Sequence, residues 1–521
     1  MNEKRRNMTL EEAREIIDRQ DQIILKAFGT RMEAAGQIAR VKSQKGTPVY
    51  VPAREQEILS RIAEKAAELQ PEGLPEYAVE LYRKIMELSR QYQNTIRRFG
   101  LLGRKLSHSF SPEIHRMLGE YCEPYRYEIF EKEPEELESF LLHGEWTGLN
   151  VTIPYKQAVM AYCDEISPQA QRIGAVNTLV RREGKIFGYN TDYTGFRQTV
   201  EESGVQVQGA KCIVLGSGGA SKAVVCVLED LGASEVIVVS RDGKTGCDYS
   251  QLKEKHLDAK ILVNATPVGM YPDNGRSAVY PGTFPQLEWV FDLIYNPLRT
   301  NLLCQARKSD IEGVNGLKML VAQAKASAEL FLSCKIEDRA VAQIEGKLAM
   351  EKENIVLIGM PGCGKSTIGQ ELADRTGREF IDIDQKIVER AGMAITSIFV
   401  EGGENAFRKL EMEACAELQQ KTGAVIACGG GVITREENYY SLAENGRFVF
   451  LNRDIDVLPT DGRPVSQSTP LAHLYAQRLP LYRNWCDMEV QNNGKTIGEV
   501  TEEILRRCET GTAGEQQEGS C

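Results

Sequence analysis

Two glycine-rich loops constrain this chain more than any other feature of its sequence. "CIVLGSGGASKA" begins at Cys212 and "NIVLIGMPGCGKSTIG" at Asn354, each between an apolar run and a helical pattern. A strand, a glycine turn and a helix in that order direct backbone N–H groups and a helix N-terminus toward a phosphate. The chain is therefore predicted to contain two α/β domains, each binding a ligand that carries phosphate.

Length and composition agree with several globular domains. The 521 residues leave room for three or four domains, because domains usually hold about 100–200 residues. No apolar run reaches the length of a membrane span, and the net charge of −11 argues against a nucleic-acid partner. Thirteen cysteines without a Cys-x-x-Cys pair indicate neither a disulfide framework nor a zinc site. Since no secretory signal is visible, we expect a cytoplasmic location.

The residue pattern changes twice along the chain and divides it into three segments and a tail. Residues 1–98 show helical periodicity without strand signals. Residues 99–348 and 349–508 each alternate strand and helix signals, which is typical of α/β domains. Residues 509–521 have too few apolar side chains to pack and are predicted to be disordered.

The first segment is predicted to begin with one long helix. Thr9 and Glu12 form a capping box, and the helix could run to Ser43, about 50 Å, which suggests a partner chain. Arg31 and Lys42 are eleven residues apart and share a face of this helix, whereas Arg14 lies about 100° away from that face. A second chain would have to supply Arg14 to the same site. A solvated basic face on a coiled-coil-like helix is the ordinary alternative.

The same segment resembles the all-helical chorismate mutases over its whole length. The resemblance implies a homodimer of intertwined chains that rearranges chorismate to prephenate by orientation and electrostatics, without a nucleophile or a metal. It assigns the two substrate carboxylates to Arg14, Arg31 and Arg54, and the ether oxygen of the breaking bond to Lys42 and Gln93. Glu55 would bind the ring hydroxyl, and Ser89 is a further substrate-binding position. Val51 stands where the family commonly has a carboxylate. The alternative is a helical dimerisation or effector-binding module without turnover.

The first glycine loop carries the signs of a dinucleotide-binding fold. Its glycines would let the backbone approach a pyrophosphate. After the next apolar run, "VIVVSRDGKTG" places Ser240 and Arg241 where an NAD enzyme usually has an acidic ribose ligand. Arginine there favours the 2′-phosphate of NADP, and the adjacent Asp242 leaves a mixed preference open.

Six stretches of the second segment together resemble shikimate dehydrogenase across about residues 99–347. They are "LSHSFSPEIH", "GLNVTIPYK", "GAVNTL", "GYNTDYTGF", "NATPVGMYP" and "NGLKMLVAQA". Taken singly, each could be a turn or a helix cap. The resemblance implies reduction of 3-dehydroshikimate to shikimate, with an NADP-binding Rossmann part at 204–315 and a substrate part at 99–203 and 316–348.

This resemblance also implies roles for individual residues. Lys156 and Asp192 would handle the proton that accompanies hydride transfer. The substrate would be bound by Ser109 and Ser111 at its carboxylate, by Thr152, Asn177, Asp192 and Gln323 at its hydroxyls, and by Tyr295 nearby. The cofactor would be bound by Gly216, Ser217, Gly218, Gly219, Ala220, Ser240, Arg241, Leu293 and Gly316.

The second loop, "GMPGCGKS" from Gly359 to Ser366, matches the P-loop pattern between a strand and a helix. Its backbone amides would hold ATP phosphates, Lys365 would reach the outer ones and Ser366 would bind Mg²⁺. The nucleotide-binding set is Gly362, Cys363, Gly364, Lys365, Ser366 and Thr367. The loop alone would equally suit a nucleotide kinase, a small GTPase-like switch or a motor.

The stretches that follow the P-loop resemble shikimate kinase over about residues 353–505. They are "FIDID", "FVEGGENAFRKLE", "IACGGGV", "GRPV" and "RLPLYR". The resemblance assigns the substrate carboxylate to Arg408, Arg478 and Gly430, the substrate hydroxyl to Asp384, Mg²⁺ to Asp382 with Ser366, and ATP phosphates to Arg463. The link from Leu451 to Arg463 is shorter than is usual and lacks the basic residue that commonly lies on adenine. A kinase-like module without catalysis is the alternative.

The sequence thus predicts three fused enzymes of aromatic amino-acid biosynthesis: a helical chorismate mutase, an α/β shikimate dehydrogenase with a Rossmann domain, and a P-loop α/β shikimate kinase. The expected cofactors are NADP(H), ATP and Mg²⁺, and the expected partners are small-molecule substrates and a second copy of the chain. The alternative is a bifunctional dehydrogenase–kinase whose N-terminal helices do not catalyse.

Overall fold

The computed structural model describes residues 8–45, 47–69, 73–106, 109–458 and 471–510. Arg463 and the predicted tail from residue 511 onward lie outside this part. The chain forms two compact units, Met1–Thr194 with Gln323–Ala340 and Gly195–Ala322 with Val341–Cys521. Within the described ranges, no helix combines the length and the apolar character needed to cross a bilayer. The domain limits drawn from the sequence stay predictions.

Three helices form the N-terminal part of the first unit: α1 (Leu10–Lys45), α2 (Pro52–Ala67) and α3 (Leu74–Ile96). The predicted capping box is confirmed, because the Glu12 carboxylate accepts the Thr9 N–H at 2.8 Å and the Thr9 hydroxyl accepts the Glu12 N–H at 3.2 Å. The long first helix is confirmed as well. Its 36 residues extend over about 54 Å at 1.5 Å per residue.

The rest of the first unit is built on a mixed six-stranded sheet with the order β2–β1–β3–β5–β6–β4. Strands β1 to β3 are parallel to one another, whereas β5 runs antiparallel to β3 and β6. The strands are Phe99–Gly103 (β1), Tyr127–Glu131 (β2), Gly148–Val151 (β3), Glu165–Ile166 (β4), Thr178–Arg182 (β5) and Lys185–Tyr189 (β6). The helices are Ser111–Leu118 (α4), Leu137–His143 (α5), Pro168–Ile173 (α6) and Thr191–Ser203 (α7), which begins in this unit.

The first half of the second unit contains a five-stranded parallel sheet with the order β11–β10–β9–β7–β8. Its strands are Lys211–Leu215 (β7), Glu235–Val239 (β8), Ile261–Asn264 (β9), Trp289–Asp292 (β10) and Glu312–Val314 (β11). Its helices are Gly219–Asp230 (α8), Tyr249–Lys255 (α9), Asn301–Lys308 (α10) and Leu317–Leu332 (α11), the last of which continues into the first unit. The predicted strand, glycine loop and helix are therefore β7 and α8.

The second half of this unit, which follows α12 (Arg339–Lys352), has another five-stranded parallel sheet, with the order β13–β14–β12–β15–β16. Its strands are Asn354–Ile358 (β12), Glu379–Asp382 (β13), Ala424–Ala427 (β14), Gly446–Asn452 (β15) and Met488–Gln491 (β16). Its helices are Lys365–Thr376 (α13), Ile383–Ala391 (α14), Ile395–Glu417 (α15), Glu436–Ala443 (α16), Leu471–Trp485 (α17) and Ile497–Thr510 (α18). The P-loop joins β12 to α13, as predicted.

The two halves of the second unit meet through a partly exposed ion cluster. The Asp487 carboxylate pairs with Arg299 at 3.2 Å and with Arg307 at 2.5 Å, and it accepts the Phe448 N–H at 2.8 Å. The two arginines hold the pKa of Asp487 below its usual range despite burial. Cys304, on α10, belongs to the apolar core of the P-loop half. The two halves are therefore joined both by apolar packing around Cys304 and by a carboxylate whose charge is paired with two arginines.

Glu444 adds a second polar contact between these halves. Its side chain is fully buried, its Oε1 accepts the Gly275 N–H at 2.7 Å, and its main-chain carbonyl accepts the Arg299 N–H at 2.7 Å. Burial raises the pKa of Glu444 to about 7. A carboxyl group in this position is therefore easier to accommodate protonated than ionised.

Candidate active sites

A buried lysine–carboxylate pair lies in the first unit, at the start of α7. Lys156 Nζ is 2.6 Å from Asp192 Oδ2, and the two side chains are 16% and 8% exposed. Asn177 fixes the other carboxylate oxygen, because its Nδ2 donates to Asp192 Oδ1 at 2.9 Å while its Oδ1 accepts the Thr191 N–H at 2.7 Å. Three residues predicted for the dehydrogenase thus form one contact set. An ammonium held this way can deliver a proton to an adjacent oxygen.

The other predicted substrate-binding residues of the first unit surround this pair less directly. The Gln323 amide oxygen accepts from the Thr191 hydroxyl at 3.5 Å. Thr152 follows β3 and its N–H donates to Leu102 at 2.9 Å. Ser109 accepts the Ser111 N–H at 3.2 Å, and in the described part of the chain no hydrogen bond links these serines to the lysine pair.

A buried network behind β1 and β3 escaped the sequence analysis. His115 contacts the Tyr125 hydroxyl at 2.6 Å and Asn150 Oδ1 at 3.1 Å, and the Tyr127 hydroxyl donates to the same Asn150 oxygen at 2.8 Å. Burial lowers the pKa of His115 to about 3, so this ring stays neutral in the physiological range. The network holds Asn150 within β3, in a stretch that taken singly could have been only a turn or a helix cap.

The first glycine loop of the second unit presents open backbone at the start of α8. Gly216 has φ +103°, and a Cβ there would lie 3.0 Å from the Ala265 carbonyl oxygen. In front of Gly218 nothing described lies within 4 Å of where a Cβ would be, so a pyrophosphate has room to approach the backbone. Ser221, which was not predicted, donates to the Gly216 carbonyl at 2.6 Å and holds the turn. The predicted set occupies the loop and the first turn of α8: Gly216, Ser217, Gly218, Gly219 and Ala220.

The residues predicted to select the dinucleotide follow β8. The Ser240 hydroxyl donates to Asp242 Oδ1 at 2.9 Å, which directs this carboxylate back toward its own turn. Arg241 lies between them and is exposed. The arrangement leaves an exposed guanidinium beside a carboxylate that is already hydrogen-bonded, which fits a 2′-phosphate better than a free ribose hydroxyl.

Gly316, Leu293 and Tyr295 lie near the ends of β10 and β11. A Cβ on Gly316 would lie 2.1 Å from the Leu293 carbonyl oxygen, so only glycine allows this approach. Tyr295 is half-buried, and burial raises the pKa of its hydroxyl. The structure thus brings the predicted Gly316 and Leu293 together.

The P-loop half contains a cavity of about 550 Å³. The Ser366 hydroxyl donates to Asp382 Oδ2 at 2.6 Å, so the two predicted Mg²⁺ ligands lie side by side. Hard oxygen donors of this kind suit Mg²⁺. Lys365 Nζ donates to the carbonyls of Gly359 and Met360 at 2.9 and 3.0 Å, which keeps the ammonium over the loop. The lining also includes Gly362, Gly364 and Thr367 of the predicted loop set, whereas Cys363 is fully buried and does not line the cavity.

Three consecutive glycines, Gly429 to Gly431, let the predicted substrate arginines approach the backbone. A Cβ on Gly431 would lie 2.2 Å from Arg408 Nη2, and one on Gly429 would lie 2.7 Å from Asp384 Oδ1. Arg478 Nη1 donates to the Gly430 carbonyl at 3.0 Å. The structure therefore gathers Asp384, both arginines and Gly430 around one cavity.

Arg408 is held by acidic residues of its own helix. Its side chain is 5% exposed, and it pairs with Glu411 at 2.8 Å and Glu404 at 3.0 Å. Burial raises the pKa of Glu411, an effect that Arg408 partly offsets. The guanidinium is thereby oriented before any ligand arrives.

Three further residues at this cavity were not predicted. The Tyr482 hydroxyl donates to the Gly430 carbonyl at 2.5 Å, and Asn492 Nδ2 donates to the Cys363 carbonyl at 2.6 Å beneath the P-loop. Arg453 lines the cavity directly after β15. It belongs to the shortened link, which was predicted to lack the basic residue that commonly lies on adenine. Only the position of Arg453 directly after an apolar strand was visible in the sequence.

The N-terminal helices assemble part of the predicted mutase set. Arg31 on α1 donates to the Ser89 hydroxyl on α3. Lys42 Nζ donates to the Val49 carbonyl at 2.6 Å, and burial lowers the pKa of Lys42. Gln93 is buried, and its Oε1 has no hydrogen-bond partner among the described residues, so it can accept from a ligand or a protonated group.

The remaining mutase residues lie apart from this cluster. Arg14 is exposed on α1, about 25 Å along the axis from Arg31. Arg54 is exposed and pairs with Glu57 at 2.6 Å. Val51 is the N-cap of α2 and its side chain makes no capping hydrogen bond.

Two charged residues that the sequence analysis missed lie at this helical cluster. Arg90 donates to both oxygens of Glu55, at 2.7 and 2.6 Å, and its other side pairs with Glu123. Asn94 Nδ2 donates to the same Glu123 at 3.1 Å. Glu123 follows α4 in the next segment of the chain, so no periodicity within the helices could have revealed it.

The fold and these sites define an enzyme that joins a dinucleotide-binding oxidoreductase and a P-loop phosphotransferase in one chain, behind a helical segment. Family models agree on all three parts. "Chorismate mutase type II" matches residues 13–94, "Shikimate dehydrogenase substrate binding domain" residues 101–179, and "Shikimate kinase" residues 361–509.

The chain belongs to the shikimate dehydrogenase family. The shikimate dehydrogenase (NADP(+)) of Clostridium perfringens is 38% identical over 255 residues, which cover 46% of this chain and 93% of that protein. The one from Caldanaerobacter subterraneus is 39% identical over 251 residues, 44% of this chain and 90% of that protein. Among solved structures, a chorismate mutase/shikimate 5-dehydrogenase fusion protein from Clostridium acetobutylicum is 39% identical and covers 49% of this chain and 97% of its own, with a TM-score of 0.46.

Proposed function

We propose that this chain catalyses three reactions: reduction of 3-dehydroshikimate to shikimate with NADPH, phosphorylation of shikimate to shikimate 3-phosphate with ATP, and rearrangement of chorismate to prephenate. The observation that carries the proposal is the buried contact between Lys156 and Asp192 at 2.6 Å, in a chain that also contains the P-loop cavity. The first two reactions are consecutive, since the hydroxyl made by one is phosphorylated by the other.

For the reduction, NADPH supplies the hydride when it is bound at the loop before α8. Lys156 Nζ gives its proton to the substrate carbonyl oxygen as the alcohol forms. Asp192 holds that ammonium in position, and Asn177 keeps the carboxylate from rotating. Ser109 and Ser111 bind the substrate carboxylate at the start of α4.

For the phosphorylation, ATP supplies the phosphoryl group when it is bound at the P-loop with Mg²⁺ at Ser366 and Asp382. Asp384 accepts the proton of the substrate hydroxyl. Arg408 and Arg478 bind the substrate carboxylate beside Gly430, because a planar guanidinium matches a carboxylate in two hydrogen bonds. Lys365 offsets the negative charge that develops on the transferred group.

For the rearrangement, the chain supplies charges to a substrate dianion and no covalent group. Arg31 contacts Ser89 on α3, Lys42 lies eleven residues further along the same face of α1, and Gln93 is buried on α3. Lys42 and Gln93 would hold the ether oxygen as its bond breaks. Arg90 orients Glu55 toward the ring hydroxyl. Val51 stands where the family commonly has a carboxylate, and none of these groups takes over the hydrogen bond that such a carboxylate would accept.

A second copy of the chain completes the mutase site in this proposal. Arg14 lies too far along α1 to reach the Arg31 cluster of its own chain. The same helix exposes a row of large apolar side chains that a partner helix would cover: Ile16, Ile17, Ile23, Ile24 and Leu25, at 40–65% exposure. A homodimer through α1 accounts for both features. A cytoplasmic location stays a prediction from the sequence.

The experiment is to assay all three reactions on the purified full chain. We expect NADPH oxidation with 3-dehydroshikimate, ADP release that requires shikimate, and loss of chorismate above the buffer rate. Absence of the first or second activity would refute the proposal for that half. Absence of the third alone would leave the N-terminal helices as a dimerisation or effector-binding module.

A further inference from the structure

A second cavity, of about 410 Å³, lies in the first unit, and we name it the junction cavity. It is lined by the segment before α2, the end of α3, the turn after α4 and the segment after α11. Asn94 and Glu123 also contact the Arg90 group beside the mutase cluster, whereas Arg97 and the other lining residues belong to none of the sets assigned above. It therefore needs its own explanation.

The junction cavity contains a buried cation that forms no ion pair with any described carboxylate. Arg97 is 2% exposed and lines the cavity, and one of its nitrogens donates to the Thr47 carbonyl at 2.7 Å. Over the described ranges, its Nε has no hydrogen-bond partner and no carboxylate is within ion-pair distance of it. Burial lowers its pKa to about 10. A buried guanidinium in this state is stabilised by an anion that enters the cavity.

Glu123, the acidic residue of the cavity, raises the pKa of Arg97 from a distance but forms no ion pair with it. Glu123 is shared between Arg90 and Asn94, so its oxygens are already engaged. Because a carboxylate only accepts hydrogen bonds, the Asn94 amide must turn its Nδ2 toward Glu123 and its Oδ1 away. Asn94 is 1% exposed, and no described residue donates a hydrogen bond to its Oδ1. Asn94 and Arg97 are three positions apart, so they share a face of the helix end.

The rest of the lining is suited to an apolar body. Val49 and Leu332 are each 7% exposed, and Tyr50 and Tyr121 add ring surface. We propose that the junction cavity binds a small carboxylate that carries a hydrogen-bond donor next to the carboxylate and an apolar group beyond it. The carboxylate pairs with Arg97, the donor with Asn94 Oδ1, and the apolar group with this surface. A 2-hydroxy acid and a 2-amino acid both have this chemistry.

Calorimetric titration of the full chain with matched probes tests the proposal. The probe is 3-phenyllactate, its uncharged counterpart is 3-phenyllactamide, and 3-phenylpropanoate lacks the donor. We expect the amide to bind at least about tenfold more weakly, because it loses a charge-assisted hydrogen bond, and the propanoate to bind about two- to tenfold more weakly. Phenylalanine distinguishes an amino donor from a hydroxyl donor. Equal affinity for 3-phenyllactate and its amide, or no binding of either, overturns the proposal.

Variants locate the binding. R97M is expected to weaken 3-phenyllactate binding at least about tenfold, whereas R181M serves as the matched control. Arg181 is half-buried and, like Arg97, donates to main-chain carbonyls, yet it does not line the cavity. R31M reports on the mutase cluster instead. Loss of binding in R31M but not in R97M would place the probe in the mutase cluster and overturn the proposal.

Thiol protection gives a measurement on the unaltered chain, which matters if R97M fails to fold. Cys122 and Cys334 both line the junction cavity, and the contact with Cys122 lowers the pKa of the Cys334 thiol. Bound 3-phenyllactate is expected to slow alkylation of Cys334 by iodoacetamide, read by peptide mass spectrometry. Cys163, half-buried in the sheet core of the same unit, is the control thiol. Equal slowing at Cys163, or none at Cys334, contradicts binding at this cavity.

Discussion

Replacing Asp192 with asparagine isolates the electrostatic part of the dehydrogenase pair. The substitution keeps the shape of the side chain and its contact with Asn177, but it leaves Lys156, which is 16% exposed, without the negative partner 2.6 Å away. Hydrogen bonds between charged groups are worth about 1.5–3 kcal/mol. If that stabilisation serves the proton transfer, the dehydrogenase kcat falls about ten- to a hundredfold. Removing the donor itself, in K156A, is expected to cost about 10²–10⁴.

The assay compares kcat and KM for shikimate oxidation, followed by NADPH absorbance, in the wild type, D192N and K156A. The kinase of the same chain is the internal control, since its ADP release must stay at the wild-type rate if the variants fold. The reasoning would be refuted if K156A retained wild-type kcat, or if D192N changed KM alone. A parallel loss of kinase activity would show unfolding rather than lost chemistry.

Three further predictions concern the second unit. G431A places a methyl group 2.2 Å from Arg408 Nη2. Because this displaces the guanidinium, we expect the kcat/KM of the kinase for shikimate to fall at least about tenfold, while the dehydrogenase activity is unchanged. Wild-type kinase kinetics in G431A would contradict the role given to this glycine. R453M is expected to raise the KM for ATP about tenfold while the KM for shikimate holds, measured by varying each substrate at saturating levels of the other. Glu444 has its pKa raised to about 7, so the folded chain retains a proton that the unfolded chain releases as the pH rises from 4.5 to 7. Its stabilising effect is complete below that window and lost above it. Between pH 5 and pH 8 the wild type is therefore expected to lose up to about 3 kcal/mol of unfolding free energy that E444Q retains. Denaturant unfolding of both proteins at both pH values checks this, and an equal loss in E444Q would refute it.

Local chemistry was predictable from the sequence because each signal involves neighbours in the chain. The capping box at Thr9, the strand–loop–helix order at both glycine loops and the length of α1 all depend on residues a few positions apart. The contact between Ser366 and Asp382 agrees with the shared Mg²⁺ role that the resemblance to shikimate kinase implied.

Contacts between distant segments could not be predicted in the same way. Glu123 reaches the helical cluster from a turn in another segment, and Arg97 appeared in the sequence only as one basic residue at a helix end. The three glycines at Gly429 were recognisable as a motif, but the reason for them, the approach of Arg408 and Asp384, required the fold. Side-chain surroundings depend on tertiary packing, which periodicity does not encode.

The ion cluster at Asp487 has a consequence for any attempt to express the two halves of the second unit separately. A P-loop half expressed alone would keep this carboxylate and lose Arg299 and Arg307, while the dinucleotide half would be left with two unpaired arginines and with Cys304 of α10 exposed to solvent. Each product would thus present apolar and charged surface that the intact chain covers, so a boundary between β11 and β12 is a poor choice for cutting this chain.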